Sequence, residues 1–248
     1  DMLDDVKEIT GEDSDITYVG LNHLSWITSV KKNGEELLPG LIESGFSPKV
    51  MANIKDDGFS LETLAAIHAL PSSYLQYYYS RASKLNYLKS NPKSRAQVCM
   101  EIEEQLLEMY QNEEIVTKPA LLDKRGGHKY SLAAVSLIDS IANDKKDVHV
   151  VNIKNNGTLP FMADDDIVEI AAVIGSDGAT PVPVTEKIND HVIGLMRVVK
   201  TYEKYAVKAA ITGDDDYAIK GLLVHPLVGD YEKTVKCFNE LKEAHKEF

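Results

Sequence analysis

Apolar and β-branched residues crowd positions 16–32 (ITYVGLNHLSWITSVKK) on both sides of a polar Gly-Leu-Asn-His bend, a pattern that predicts two short strands joined at an elbow. Lys31-Lys32-Asn33-Gly34 then supplies a hairpin-type turn. Pro39, Gly40, Gly45, Pro48 and Gly58 break up positions 34–60, which read as loop with short helical turns. Helical spacing follows over 61–70 up to Pro71, and Ser72 is placed to cap a second helix containing Tyr74, Leu75, Tyr77, Tyr78 and Leu85. Over 93–111, Val98, Ile102, Leu106 and Met109 recur at helical spacing with Glu101, Glu103, Glu104 and Glu108 between them, which predicts a surface helix facing the core.

The stretch RGGHKY (125–130) puts a polar Gly-Gly turn at the entrance of an apolar helix over 131–142. VHVVNI (148–153) reads as a buried strand, Asn155-Asn156-Gly157 as a turn, and 167–174 with 180–184 as a hairpin across Ser176-Asp177-Gly178. Three helices close the chain, over 188–211, over 217–224 up to His225-Pro226, and from 230 onward. The pattern is α+β, with no repeat and no convincing linker, so residues 1–248 are expected to form one domain.

A length of 248 residues with 44% hydrophobic content rules out a disordered chain. The net charge of −12 repels phosphate backbones and anionic lipid, so neither nucleic acid nor a membrane surface is an expected partner. No apolar run approaches the roughly 20 residues that cross a bilayer, and the acidic start DMLDD is unlike a signal peptide. A start at Asp inside a helix-like segment predicts a piece cut from a longer chain. The two cysteines, Cys99 and Cys237, form no metal or disulfide pattern, and a reducing cytoplasm is expected.

Candidate chemistry is sparse. His23, beside Asn22 in the elbow, is either a metal ligand presented from a rigid turn or a turn histidine bonded to backbone, and Asn22 is suited to a substrate hydroxyl. Tyr130 sits beyond two glycines, bracketed by Arg125 and Lys129 with His128 adjacent. A tyrosine of ordinary pKa near 10 needs such positive neighbours, or a metal, to act as a base near neutral pH. The plainer alternative is a core tyrosine at a helix start. Asn152, Asn155 and Asn156 are either loop contacts or turn residues, and Asp164-Asp165-Asp166 and Asp214-Asp215-Asp216 read as solvated caps because the EF-hand alternation is missing. His68, His149, His191, His225 and His245 show no zinc spacing, and no GxGxxG, GxxxxGK[ST] or GxSxG occurs.

Taken together and in order, GLNHLSW (20–26), LPSSYLQYYY (70–79), KRGGHKYS (124–131), VHVVNIKNNG (148–157) and LLVHPLV (222–228) resemble the C-terminal half of glycoside hydrolase family 4, most closely its 6-phospho-β-glucosidases. The resemblance implies a C-terminal domain like that of lactate and malate dehydrogenases: a mixed antiparallel sheet with long helices. It also implies a missing N-terminal Rossmann domain that binds NAD and ends in a metal-ligand cysteine.

By the resemblance, the chemistry departs from that of two-carboxylate glycosidases. NAD takes a hydride from sugar C3, a tyrosine removes the acidified C2 proton, manganese or another divalent metal stabilises the enolate, and the glycosidic oxygen leaves by elimination. Water then adds and the hydride returns. The matching positions are His23 for the metal and Tyr130 for the base, with Asn22 at the sugar or beside the metal. Arg125 is the candidate contact for the phosphate of a phosphorylated disaccharide, because a guanidinium binds phosphate bidentately. The long C-terminal helices make a homo-oligomer plausible. Two other readings stay open: a 6-phospho-α-glucosidase of the same family, and a non-catalytic helical oligomerisation module.

Overall fold

A computed structural model describes residues 2–46, 58–125 and 130–246. Residues 126–129, with His128 and Lys129, and residues 47–57, with Pro48, lie outside that set. The chain opens with α1 (Met2–Thr10) and the hairpin β1 (Asp15–Leu21) and β2 (Leu24–Lys32), followed by β3 (Glu35–Glu36), α2 (Leu38–Glu43) and α3 (Leu61–Ile67). Next come β4 (Leu70–Pro71), a 3-10 turn (Ser73–Leu75), α4 (Gln76–Tyr79), α5 (Arg81–Ser90), α6 (Arg95–Tyr110), α7 (Leu121–Arg125) and α8 (Tyr130–Ala142). The remainder is β5 (Asp147–Lys154), β6 (Ile167–Gly175), β7 (Gly178–Pro181), α9 (Asp190–Thr212), α10 (Asp215–Val224) and α11 (Tyr231–Ala244).

The strands form one antiparallel sheet in the order β3-β2-β1-β6-β5, with β4 added beside β2 and β7 beside β6. Alternation along β1 and β2 sends side chains to two apolar clusters. Val19, Leu21, Leu24 and Trp26 meet Val168 and Ile170 of β6 under Val192, Met196 and Val199 of α9. Tyr18, Ile27 and Val30 face the other way, onto Leu3 and Val6 of α1, Leu38, Leu41 and Ile42 of α2, and Leu64 of α3. The expected α+β pattern is therefore a sheet with helices on both faces.

Two expectations fail locally. The strand at 148–153 is the sheet edge rather than its buried centre, and Val148 is 52% exposed. Its apolar run is half covered because only one neighbour, β6, pairs with it among the described residues. The helix expected from Ser72 to Leu85 is three pieces instead, and Ser72 makes no side-chain cap. His68 ends α3 in the left-handed conformation (φ 46°), and Leu70–Pro71 pairs with Trp26 and Ile27 rather than continuing the helix. Sheet pairing there outweighs local helical preference. The core-facing helix expected over 93–111 is α6, which buries Ile102 and Leu106 and begins at a capping box that the pattern reading did not single out, with Ser94 and Gln97 each accepting from the other's backbone N–H.

Asn155 belongs to the fold rather than to a ligand. Its side chain is fully buried, its amide donates to the carbonyls of Leu159 (3.0 Å), Met162 (3.1 Å) and Ala163 (3.2 Å), and its oxygen accepts from Leu159 N–H at 2.7 Å. Asp166, expected to be solvated, is 5% exposed, and it accepts from Ala163 N–H and pairs with Lys204 at 2.7 Å. Each residue substitutes for backbone hydrogen bonds that the loop 155–166 cannot make within itself. Asn155→Ala is expected to destabilise the chain by at least about 2 kcal/mol, because several buried carbonyls lose their donor at once; urea unfolding followed by circular dichroism measures it.

Candidate functional site

The elbow between β1 and β2 is a two-residue turn, Asn22-His23, closed by the pair Leu21↔Leu24. His23 sits at φ 67°, a conformation that costs an L residue energy and is held only where neighbours over-determine it. The strands also approach tightly behind it. A Cβ on Gly20 would lie 2.4 Å from the Cβ of Ser25 and 2.5 Å from the Leu24 carbonyl, so only glycine fits. Asn22 and His23 are exposed at the tip while Leu21 and Leu24 are buried.

The His23 ring lies flat on Tyr74, with centroids 4.2 Å apart and planes 4° from parallel. Lost hydration lowers the histidine's pKa, so the imidazole is neutral at pH 7 with a lone pair to offer. Among the described residues no three His, Cys, Asp or Glu side chains cluster to hold a metal. His23 is thus not accompanied by two further such side chains in the described part of the chain.

Beneath the elbow is a polar group that pattern reading passed over. The Tyr18 hydroxyl donates to Ser25 Oγ at 2.6 Å and lies 3.2 Å from Glu169 Oε2, and Glu169 pairs with Gly20 across the β1–β6 ladder. Burial pushes the Glu169 carboxyl up and the Tyr18 phenol up. The readable signal was a single acid inside the apolar run IVEIAAVIG.

Arg125 ends α7, and its guanidinium pairs with Glu103 at 3.1 Å on the surface. Arg95 ties that end of α7 to α6 by donating to the carbonyls of Lys124 (2.8 Å) and Arg125 (3.0 Å). Tyr130 opens α8 and is 73% exposed, which removes the core-tyrosine alternative. Leu132 (69%), Val135 (64%) and Ile138 (62%) are exposed along the same helix. α8 is anchored near its far end, where buried Ser140 meets His149 Nε2 at 3.0 Å and Asp147 Oδ2 at 3.1 Å. The structure thus joins Asn22 and His23 on one turn and sets Arg125 and Tyr130 on either side of residues 126–129.

The segment 70–79 forms a tyrosine wall that gathers histidines from distant parts of the chain. Tyr74 stacks on His23, the Tyr78 hydroxyl lies 3.4 Å from His225 Nε2, and the Tyr79 hydroxyl lies 2.9 Å from His191 Nε2. Trp26 Nε1–H donates to Tyr79 at 3.1 Å, and burial raises that phenol to about 12. His225 Nδ1 accepts from Leu227 N–H at 3.2 Å, which leaves Nε2 as the protonated nitrogen of the neutral ring.

Residues 18–228 match the family 4 glycosyl hydrolase C-terminal domain, and the chain belongs to that family, as the five motifs implied. It is 35% identical over 246 residues to the 6-phospho-beta-glucosidase of Escherichia coli (strain K12), covering 96% of this chain and 54% of that enzyme. It is 32% identical to the 6-phospho-beta-glucosidase BglT of Thermotoga maritima, over 96% of this chain and 56% of that protein. A structure of the 6-phospho-beta glucosidase from Thermotoga maritima with manganese, NAD+ and glucose-6-phosphate superposes with a TM-score of 0.84 at 28% identity, covering 99% of this chain and 58% of that one. The chain spans little more than half the length of these relatives. No helix among the described residues is long and apolar enough to cross a membrane.

Glu169 gives the fold a pH dependence of definite sign. A carboxyl whose folded pKa is raised above the ordinary 4.5 keeps its proton in the fold where the unfolded chain has lost it, so its contribution to stability declines as pH rises through that interval. Glu169→Gln keeps a hydrogen-bonding side chain without the charge. It should melt higher than the parent at pH 7 and lose that advantage near pH 4, as thermal melts across pH would record.

Proposed function

We propose that residues 1–248 are the C-terminal substrate- and metal-binding domain of an NAD- and manganese-dependent 6-phospho-β-glucosidase, with the dehydrogenase-like architecture that the motifs implied. The observation that carries the proposal is His23, a neutral, exposed imidazole held in a left-handed turn at the tip of the central hairpin. The β-glucosidase relatives, at 32–35% identity, favour the β anomer over the phospho-alpha-glucosidase PagL of Clostridium acetobutylicum, at 30%. The two free cysteines suit a reducing cytoplasm.

Each residue then has a role. His23 would hold the metal through a ring nitrogen, and Asn22, its neighbour on the turn, would orient a sugar hydroxyl. Tyr130, exposed at the start of α8, takes the C2 proton of a substrate whose C3 has been oxidised. Arg125 exchanges Glu103 for the substrate phosphate, a gain in charge and in bidentate geometry. When bound, NAD supplies the hydride acceptor and the metal supplies a Lewis acid for the developing enolate oxygen, worth several kcal/mol. The uncovered apolar surface of α8 supports a neighbour packed beside Tyr130, either the remainder of the enzyme or a second copy.

In the complete enzyme, Tyr130→Phe should lower kcat by at least about 100-fold, the span expected for a lost general base, while NAD binding stays unchanged. Near-normal turnover would leave Tyr130 out of the chemistry and favour the interaction-module reading. Chromogenic 6-phospho-β- and 6-phospho-α-glucosides assayed in parallel decide the anomer. Arg125→Ala should raise KM for the phosphorylated substrate at least about tenfold, the loss of one charge-assisted pair, and a KM within twofold of the parent would remove Arg125 from the phosphate site.

A further inference from the structure

His225 ends α10 and begins a turn on which three other helices converge. Its Nδ1 accepts from Leu227 N–H at 3.2 Å and its carbonyl accepts from Val228 N–H at 3.0 Å, so the residue closes the turn 225–228 upon itself. From α5, Arg81 donates to the carbonyls of Leu227 (2.8 Å) and Pro226 (3.4 Å). From α4, the Tyr78 hydroxyl meets His225 Nε2 at 3.4 Å, and from α9 the Tyr202 ring stands edge-on to the imidazole with centroids 4.7 Å apart. Tyr78, Tyr202 and Arg81 are the titratable and charged groups that meet this turn from neighbouring elements among the described residues. Asp230, which follows it, is turned to α11, where its carboxylate accepts from Lys233 N–H at 2.9 Å. The turn therefore fastens α10 and α11 to the α4–α5 end of the tyrosine wall.

A neutral imidazole suits this arrangement and an imidazolium does not. With Nδ1 accepting, the single ring proton sits on Nε2, toward Tyr78. A second proton would go to Nδ1, where it would face Leu227 N–H, donor against donor, and it would bring positive charge into a turn that the Arg81 guanidinium already grips. The carbonyl end of α10 favours a cation. Burial outweighs that attraction and holds the half-buried ring below the ordinary imidazole value of 6.5.

We propose that His225 is an acid-sensitive latch: its neutral ring closes the turn 225–228 and holds α10 and α11 against the wall, and a proton on Nδ1 releases them. The closed turn keeps the ring neutral where a released one would take up a proton, so the latch is at full strength above pH 6.5 and weakens as pH falls below that value. Because the wall is hydrogen-bonded to β2 through Tyr79 and Trp26, proton uptake at the α10–α11 junction is transmitted to the central hairpin.

Hydrogen exchange of the complete protein, normalised to an unstructured peptide at the same pH, reads the latch. Between about pH 7.5 and 5.5, protection of the α10 and α11 amides should fall by at least about threefold, toward a ceiling of about tenfold set by titration one unit below 6.5, while β6 keeps its protection. His225→Asn and His225→Ser each retain an oxygen that can accept from the N–H two residues on, and neither has a ring to protonate. In whichever of them folds, protection of α10 and α11 should stay constant over the same interval. A smaller fall in the parent, an equal fall in β6, or a parental fall in the Asn or Ser variant would overturn the latch, and the first two are read without any variant.

Discussion

The close approach of β1 and β2 at Gly20 and Ser25 governs most of what this domain presents to its surroundings. With no Cβ at Gly20, the hairpin closes in two residues and forces His23 to positive φ. The same two strands occupy the middle of the sheet, and their alternating side chains anchor both apolar clusters. A shift of one residue in their pairing would exchange the faces of Trp26 and Ile27, expose one cluster and turn the elbow over. Core packing and site geometry are therefore set by one register, and the strain at His23 is borne by the burial of Leu21, Leu24 and Trp26 on either side of it.

A second layer of control comes from polar groups retained at a cost. Tyr18, Ser25 and Glu169 form a hydrogen-bonded cluster under the elbow, where apolar side chains would pack without desolvation. Glu169 has no cation within ion-pair distance among the described residues, so its charge is supported by hydroxyl donors alone. The tyrosine wall at 70–79 works in the same way, linking the elbow, the start of α9 and the end of α10 through His23, His191 and His225. Parts of the chain far apart in sequence are thereby set relative to one another by a few directional contacts.

α8 shows the opposite condition. Its apolar residues reach water along most of the helix and its polar anchor lies near the end remote from Tyr130. A helix of this composition is stable when covered, and the relatives carry nearly half their length outside the part matched here. The residue proposed as base therefore sits on a helix with an uncovered apolar face, while the proposed metal ligand sits on a turn closed by buried strands.

The hairpin, the long C-terminal helices, the amphipathic helix at 95–110 and the motif order that gives the family were legible in the chain itself, because each depends on spacing between near neighbours: alternation, helical period, a turn. The candidates His23, Asn22, Arg125 and Tyr130 came from local motifs in the same way. What no local pattern contained was Tyr74 under His23, Glu169 behind Gly20, the break of the 72–90 segment into sheet and short helices, and the placement of 148–153 at an edge. Those depend on which strand lies beside which, and that is decided by the free energy of burying the two clusters together, a sum over the whole chain that no short window of sequence contains.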